Sequence, residues 1–371
     1  MFMEKKIAIA FVVVTMMLCV TPCFMDYTEA SSSQSIVVQD GIGNEITLDE
    51  VPEHIIGIGK GVNATLIRLG VADKIVVCDS YSTASATEHE LDILDQMLSE
   101  GKLLADGNIY SSGKTQLLAN CAYATEDAFG FDKEKDVIII TGSESYVKGI
   151  VDTLRNDGFK NIAVWYDIKT YGDLCDYVEV VSKLATGRIS NEVSEMRLLP
   201  TIIANALENV EKRDAVYITS YSTDNFKVNN IGSLAGSMIV AAGGNAFTVD
   251  DSQTKPTYTT TVANLFSGNQ HSNAVVFVDN GIVKNQENMN KLISNLPSTV
   301  TVVGLESLWN NFDIESMDGV KAMAEAMYPE IFDYSPSDSP NASDDNYLYY
   351  VIAAIVVVAI IAIGYLIYIK K

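Results

Sequence analysis

The sequence predicts an α/β protein built as two Rossmann-like lobes joined by a long interdomain helix, and three observations carry that expectation. Short apolar runs alternate with helix-patterned segments, first within residues 31–186 and again within residues 213–332. Between the two series, residues 187–212 carry Leu199, Ile203, Leu207 and Val210 at helical spacing. The chain of 371 residues is 48% apolar, enough to fill two cores.

The elements follow in order. Ile36–Val38 and Ile46–Leu48 flank a Gly/Asn turn at Asp40–Asn44, the pattern of a short hairpin. The apolar strand starting at Ile55 leads through Gly57, Gly59 and Gly61 into a helix over Val62–Leu69, and Ile75–Cys78 follows as a second strand. Val137–Ile140, a helix over Tyr146–Asn156 and Asn161–Trp165 continue the series, with a further helix over Tyr171–Ala185. Such continuous apolar strands separated by helices are βαβ units with both sheet faces covered. Thr186-Gly187 marks a break, and Pro200 predicts a kink in the long helix beyond it. The second lobe reads as a strand over Ala215–Thr219, a helix over Leu234–Ala242, strands over Ala274–Val278 and Thr299–Val303, and a last helix over Val320–Met327.

The ends of the chain read differently. Two lysines before an apolar run from Ile7 to Val20 form a signal-peptide pattern, assigned to residues 1–30. Residues 333–346 are rich in Pro, Ser and Asp and read as a solvated linker. Tyr347–Ile369 holds no formal charge and is followed by Lys370 and Lys371, which predicts a transmembrane anchor. Those features place the protein in the cell membrane as a single-pass chain with an extracellular ectodomain and a cytoplasmic C-terminus. Asn63-Ala-Thr65 and Asn341-Ala-Ser343 are glycosylation triplets, of which only Asn341 reads as an acceptor because Asn63 falls at a helix start.

Composition excludes several function classes. Asp+Glu outnumber Lys+Arg by 48 to 25, a formal charge of −23, and no basic cluster offsets it, so nucleic acid is excluded as a partner. Five cysteines, two of them in the signal segment, form no CxxC pair and indicate no disulfide framework. His54, His89 and His271 stand apart, which disfavours a transition-metal site. Ser112-Gly113-Lys114-Thr115 resembles the end of a phosphate-binding loop, but Asn108 stands where that loop needs Gly, so it reads as a surface loop. No nucleophile motif is present, and the protein reads as a non-enzyme. At Gly57–Gly61 two readings stay open, a close backbone approach to a ligand at a helix start or simply a turn.

Open α/β sheets bind ligands at the carboxyl ends of their strands. That rule selects Gly59 and Lys60, then Ser80, Tyr81 and Ser82 after the Cys78 strand, and Ser143 and Tyr146 after the Ile140 strand. In the second lobe it selects Tyr221 and Trp309. Rigid aromatic rings supply contact area at low entropy cost, which suits a planar, partly apolar ligand.

An ordered series of stretches carries a family resemblance. Ile36–Leu48 with Val51-Pro-Glu-His-Ile-Ile-Gly-Ile58, Ala64–Val77, Asp136–Ile140, Val151–Gly158, Leu184–Arg188, Ala241–Phe247 and Met327–Phe332 together resemble the substrate-binding proteins of ABC importers for iron-siderophores, haem and cobalamin, the class III periplasmic-binding-protein-like family. The likeness runs from about Ile36 to Phe332. It implies a monomer whose two lobes clasp a metal chelate (an iron-siderophore, haem or corrinoid) with no intrinsic cofactor and no bond-making. It implies that Ser80–Ser82 and Trp309 line the cleft and that Glu126 or Asp127 docks to the importer permease. Two departures stand out: no carboxylate occupies the second-lobe docking position near Tyr258–Thr261, and residues 83–124 match poorly. They leave a second reading, a sensory or interaction ectodomain that keeps the bilobal scaffold without transport.

Overall fold

The computed structural model describes residues 35–332 apart from 60, 85–86, 223–224, 231, 248–256, 268–270, 272, 280–281 and 283–284. The expected signal peptide, linker and anchor lie outside the described residues, as do Lys60 and Asn341.

The first sheet is reached through a hairpin of β1 (Ile36–Gln39) and β2 (Glu45–Leu48). Buried Asp40 shapes it: the carboxylate accepts from the Ile42 and Asn44 amides and the Asn44 side chain, and also from Val164 N at 3.1 Å. One carboxylate thereby closes the turn and fastens it to the sheet. The sheet itself contains β3 (Ile55–Ile58), β4 (Ile75–Cys78), β5 (Val137–Gly142) and β6 (Asn161–Tyr166), all parallel in the order β4-β3-β5-β6. Its covering helices are α1 (Val62–Arg68), α2 (Ser80–Ala84), α3 (Glu88–Ser99), α4 (Lys114–Tyr123), α5 (Glu144–Asn156) and α6 (Tyr171–Thr186). Ile55, Ile56, Ile58, Val137 and Ile138 are fully buried, as strands covered on both faces require.

Asp136, just before β5, ties two loops together. Its carboxylate accepts from Glu53 N and His54 N at 3.0 Å and from Asp132 N at 2.8 Å, with His54 Nδ1 at 3.1 Å. Asp136→Ala leaves those part-buried donors without their shared partner, so about 2 kcal/mol of stability is expected to go. A urea denaturation midpoint compared with wild type checks it.

Helix α7 (Asn191–Ala206) follows, capped by the Ser190 hydroxyl on Val193 N, with Pro200 inside it. It is shorter than the expected stretch to residue 212, because Leu207 ends the helix and Asn209 takes a positive φ of 71°. The second sheet comprises β7 (Asp214–Ser222), β8 (Asn225–Asn229), β9 (Asn245–Ala246), β10 (Thr257–Thr260), β11 (Val275–Asp279) and β12 (Thr301–Leu305) in the order β10-β8-β7-β11-β12, with β9 beside β7. Its β7, β9, β11 and β12 run parallel, and β8 and β10 add an antiparallel edge. Helices α8 (Leu234–Ala241), α9 (Val262–Leu265), α10 (Gln286–Asn295) and α11 (Ser316–Met327) complete it.

The expected placement in the cell membrane through a C-terminal helix is corrected here: among the described residues no helix is long and apolar enough to cross a membrane. Asn63 is 1% exposed, in keeping with its exclusion as a glycosylation acceptor. Cys78, Cys121 and Cys175 are free and buried, and burial pushes the Cys121 and Cys175 thiols up to about 12.

Candidate functional site

The strand order places the chain's reversal between β3 and β5, and open sheets bind ligands at the carboxyl edge beside such a reversal. Gly59 holds a φ of 105°, and a β-carbon on it would collide with the main-chain and hydroxyl oxygens of Thr141. The glycine is therefore required for the end of β3 to lie against Thr141 of β5. Gly61 is also crowded, against the other half of the chain, since its β-carbon would stand 2.5 Å from the main-chain oxygens of Asn311 and Phe312. The loop after β12 thus meets the loop after β3 across the seam between the sheets.

Three tyrosines form a row beside this seam. Tyr81 on α2 packs edge-on against Tyr110 at 5.1 Å between ring centroids, and Tyr110 packs against Tyr146 on α5 at 4.8 Å. They are 45%, 37% and 45% exposed, so the rings are ordered by one another and not by burial. Burial, then the neighbouring Tyr81 and Tyr146, raises the Tyr110 hydroxyl above its usual range and keeps it neutral. Sequence reasoning selected Tyr81 and Tyr146 but missed Tyr110. That residue sits in the poorly matched segment, in a turn held by its own amide on Asn108 Oδ1 and by Lys114 N on its carbonyl. The only signal was an aromatic next to Ser111-Ser112-Gly113 ahead of a helix.

The other selected residues do different things. Ser82 is buried, donating to Asp79 at 2.6 Å and accepting from Asn63 at 2.8 Å, so it links α1 to α2. Asp79 is wholly buried, and that burial raises its carboxyl above the ordinary range against the opposing Ser82 bonds. Ser80 accepts a long bond from Asn108 at 3.4 Å and donates its amide to Gly107 O. Ser143 stands before α5 with its hydroxyl 2.8 Å from that of Ser145. Tyr221 was expected after its strand and lies inside it, because pairing with β8 extends β7 to Ser222. It stacks on Phe226 and accepts from Asn295 at 3.1 Å. Trp309 packs against Gly319 of α11, at the margin of the core. Glu126 and Asp127 are exposed on the turn after α4. Only Ser111 and Ser112 are exposed loop here: Gly113 is buried at the start of α4, which takes up Lys114 and Thr115, so the surface-loop reading covers only part of the stretch.

Charge at the seam is concentrated. Arg68 at the end of α1 pairs with Glu192 of α7 and, at 2.8 Å, with Asp318 of α11. Burial pushes Glu315 up to about 7, with Glu90 adding to the shift and Arg68 opposing it. Asp313, fully enclosed, is raised well above the carboxylate range by burial and by Glu315 and Glu90.

No protein-family model and no curated protein matches the sequence. Solved structures do match. CeuE of Helicobacter pylori with Ni(II) bound is 15% identical at a TM-score of 0.56, covering 80% of this chain and 90% of that one. A periplasmic binding protein from Veillonella parvula is 12% identical at a TM-score of 0.57, covering 81% and 94%. The periplasmic haem-binding protein RhuT from Roseiflexus, in its apo form, is 14% identical at a TM-score of 0.52, covering 75% and 98%. Two of the three are described as periplasmic, a second finding against the membrane placement. The α/β fold seen here, over nearly the full length of each of these structures, is that of the periplasmic binding proteins.

Proposed function

We propose that this chain is a solute-binding protein that takes up a metal chelate (a ferric siderophore, haem or a corrinoid) and presents it to the permease of an ABC importer. In this reading residues 31–186 and 213–332 are the two lobes and residues 187–212 connect them. The observation that carries the reading is the exposed row Tyr81–Tyr110–Tyr146 at the carboxyl edge of the first sheet, on a fold shared with binding proteins. Exposed aromatic clusters on a soluble surface mark ligand or partner sites, and their flat faces suit a macrocycle or an aromatic chelator. The enclosed seam cavity, about 10 Å³, is far below the ~300–1,000 Å³ such ligands occupy, so the guest rests at the mouth, on the rings. Gly59, Ser80 and Ser143 border that mouth, Tyr221 and Trp309 support the opposite lobe from within, and exposed Glu126 and Asp127 meet basic residues of the permease. The protein alters no bond in its guest.

Melting the full chain with ferric siderophores, haem and cobalamin in turn tests the reading. One class is expected to stabilise the fold by about 2.7 kcal/mol at a hundredfold excess over its dissociation constant. No shift with any of the three contradicts it.

A further inference from the structure

The tyrosine row stands beside a cation that has no partner. Lys114 opens α4 directly after the turn that carries Tyr110, and its amide donates to the Tyr110 carbonyl at 2.9 Å. Its side chain is half-buried, yet the ammonium makes no hydrogen bond, ion pair or ring contact among the described residues. Arg155, Lys169, Arg188, Lys212 and Lys227 also lack such partners, but all of them are exposed. Among the described lysines and arginines, only Lys114 is partly withdrawn from water with no group to offset its charge. A glycine marks where its head lies. A β-carbon on Gly149 of α5 would stand 3.0 Å from Lys114 Nζ. Glycine weakens a helix interior, and here its missing side chain leaves the room that the ammonium occupies. Gly149 is three residues on from Tyr146, so the two share one face of α5. Lys114 therefore runs from the Tyr110 turn to a point one helical turn from Tyr146.

The surrounding charges leave this ammonium uncontested. Residues 107–125 carry no charged side chain besides Lys114, and α2 carries none. On α5, Glu144, Lys148, Asp152 and Arg155 all act on the Tyr166 hydroxyl, and Lys148 and Asp152 pair with each other. At about 3.6 residues per turn, Glu144 falls on the far side of α5 from Tyr146. Asp79 acts on Tyr110, but it is wholly buried and takes the Ser82 hydroxyl. The chain as a whole carries a charge of −23, so an acidic guest is repelled over most of its surface. The row is a place where that repulsion is reversed. An ionised acid group on the guest would form a charge-assisted bond with Lys114 while the rings take its flat body. A neutral guest would cover the ammonium and leave it unpaired.

We propose that Lys114 is the specificity-determining residue of the tyrosine site and selects guests that carry an ionised acid group, a carboxylate or catecholate, over neutral ones. The inference rests on the chelate reading and narrows it: haem and catecholate siderophores are favoured over hydroxamate siderophores and corrinoids.

The test is calorimetric titration of the full chain at neutral pH with four probes. Haem, whose propionates are ionised, and a ferric tris-catecholate are the acidic ones; a ferric tris-hydroxamate and cyanocobalamin, both neutral overall, are the others. The wild type is expected to bind an acidic probe more tightly than either neutral one. Lys114→Gln is expected to weaken that acidic probe by about tenfold, the size of a hydrogen bond to a charged group, and to leave the neutral probes unchanged. Lys114→Met, which keeps the apolar stem, should do the same, and Lys114→Arg, which keeps the charge, should recover most of the loss. Only a charge role moves the ratio of acidic to neutral affinity, since a packing defect weakens both alike. A wild type that prefers a neutral probe overturns the proposal and leaves the chelate reading standing, as does a preference for acid that both Lys114→Gln and Lys114→Met retain. No binding of any of the four overturns the chelate reading and the selection built on it.

Discussion

Gly61→Ala is expected to lose 4 kcal/mol or more, roughly the size that single substitutions reach only through a named structural conflict. Two effects add. The residue holds a φ of 82°, a conformation that costs a side-chain-bearing residue about 1–2 kcal/mol. The new methyl would also stand 2.5 Å from two main-chain oxygens, which cannot rotate away as a side-chain tip could. Relief requires the loop carrying Asn311 and Phe312 to withdraw, parting the seam. Gly70→Ala separates the two effects, because Gly70 has a φ of 74° but open space around its β-carbon. It should lose only about 1–2 kcal/mol. Equal denaturation midpoints for the two variants would show that the seam contact carries no weight.

Arg68→Ala is expected to be the other severe change, at about 2 kcal/mol, below the range for removing one member of a fully buried ion pair because all three side chains are partly exposed. Glu192 and Asp318 would lose their cation while staying partly buried, close to Glu315 and Asp313. Burial already lifts Glu192 above the ordinary carboxylate range despite Arg68. Without the guanidinium nothing opposes the burial that raises Glu192, which takes up a proton more readily, so the variant's deficit should shrink as pH falls. Arg68→Lys restores the charge but not the forked geometry that reaches two carboxylates on two helices, so it should recover only part of the loss. Denaturation of both variants at two pH values checks the sign. A deficit that grows in acid would mean that packing of the arginine stem, and not its charge, matters.

Much of the architecture was readable because it rests on burial. The strands Ile55–Ile58, Ile75–Cys78 and Val137–Ile140 are continuous runs of β-branched and apolar residues, and each lies in the first sheet where periodicity placed it. The glycines at 59 and 61 announced a tight passage; where the sequence left open an approach to a ligand or simply a turn, the structure puts Gly59 against Thr141 and Gly61 against the main chain of Asn311 and Phe312. The antiparallel edge of the second sheet was not legible. Strand β8, Asn225–Asn229, alternates Asn, Phe, Lys and Val over five residues, too short and polar to stand out from a loop. Tyr221 was misplaced for the same reason, since its strand is prolonged by a partner that the sequence does not advertise.

The site was legible only in part. Tyr81 and Tyr146 follow strand ends, so the rule for open sheets finds them. Tyr110 reaches the same edge through an insertion, and only packing reveals that it bridges the other two rings. The seam acids escaped for a similar reason. Glu90 and Asp313 are more than two hundred positions apart, and each alone reads as an ordinary surface charge in an acidic chain. Their burial is a property of the assembled lobes.

The central claim is that the tyrosine row is where the guest is held, and calorimetric titration of the wild type and of Tyr110→Ala with the same chelate tests it most directly. Tyr110 contacts both other rings, so its loss removes a contact surface and frees its neighbours, while its main-chain hydrogen bonds lie within its own turn. The expected result is affinity weaker by about tenfold or more, the size of a central aromatic contact, with the denaturation midpoint nearly unchanged. Equal affinity for the two proteins would contradict the account and move the guest elsewhere on the chain.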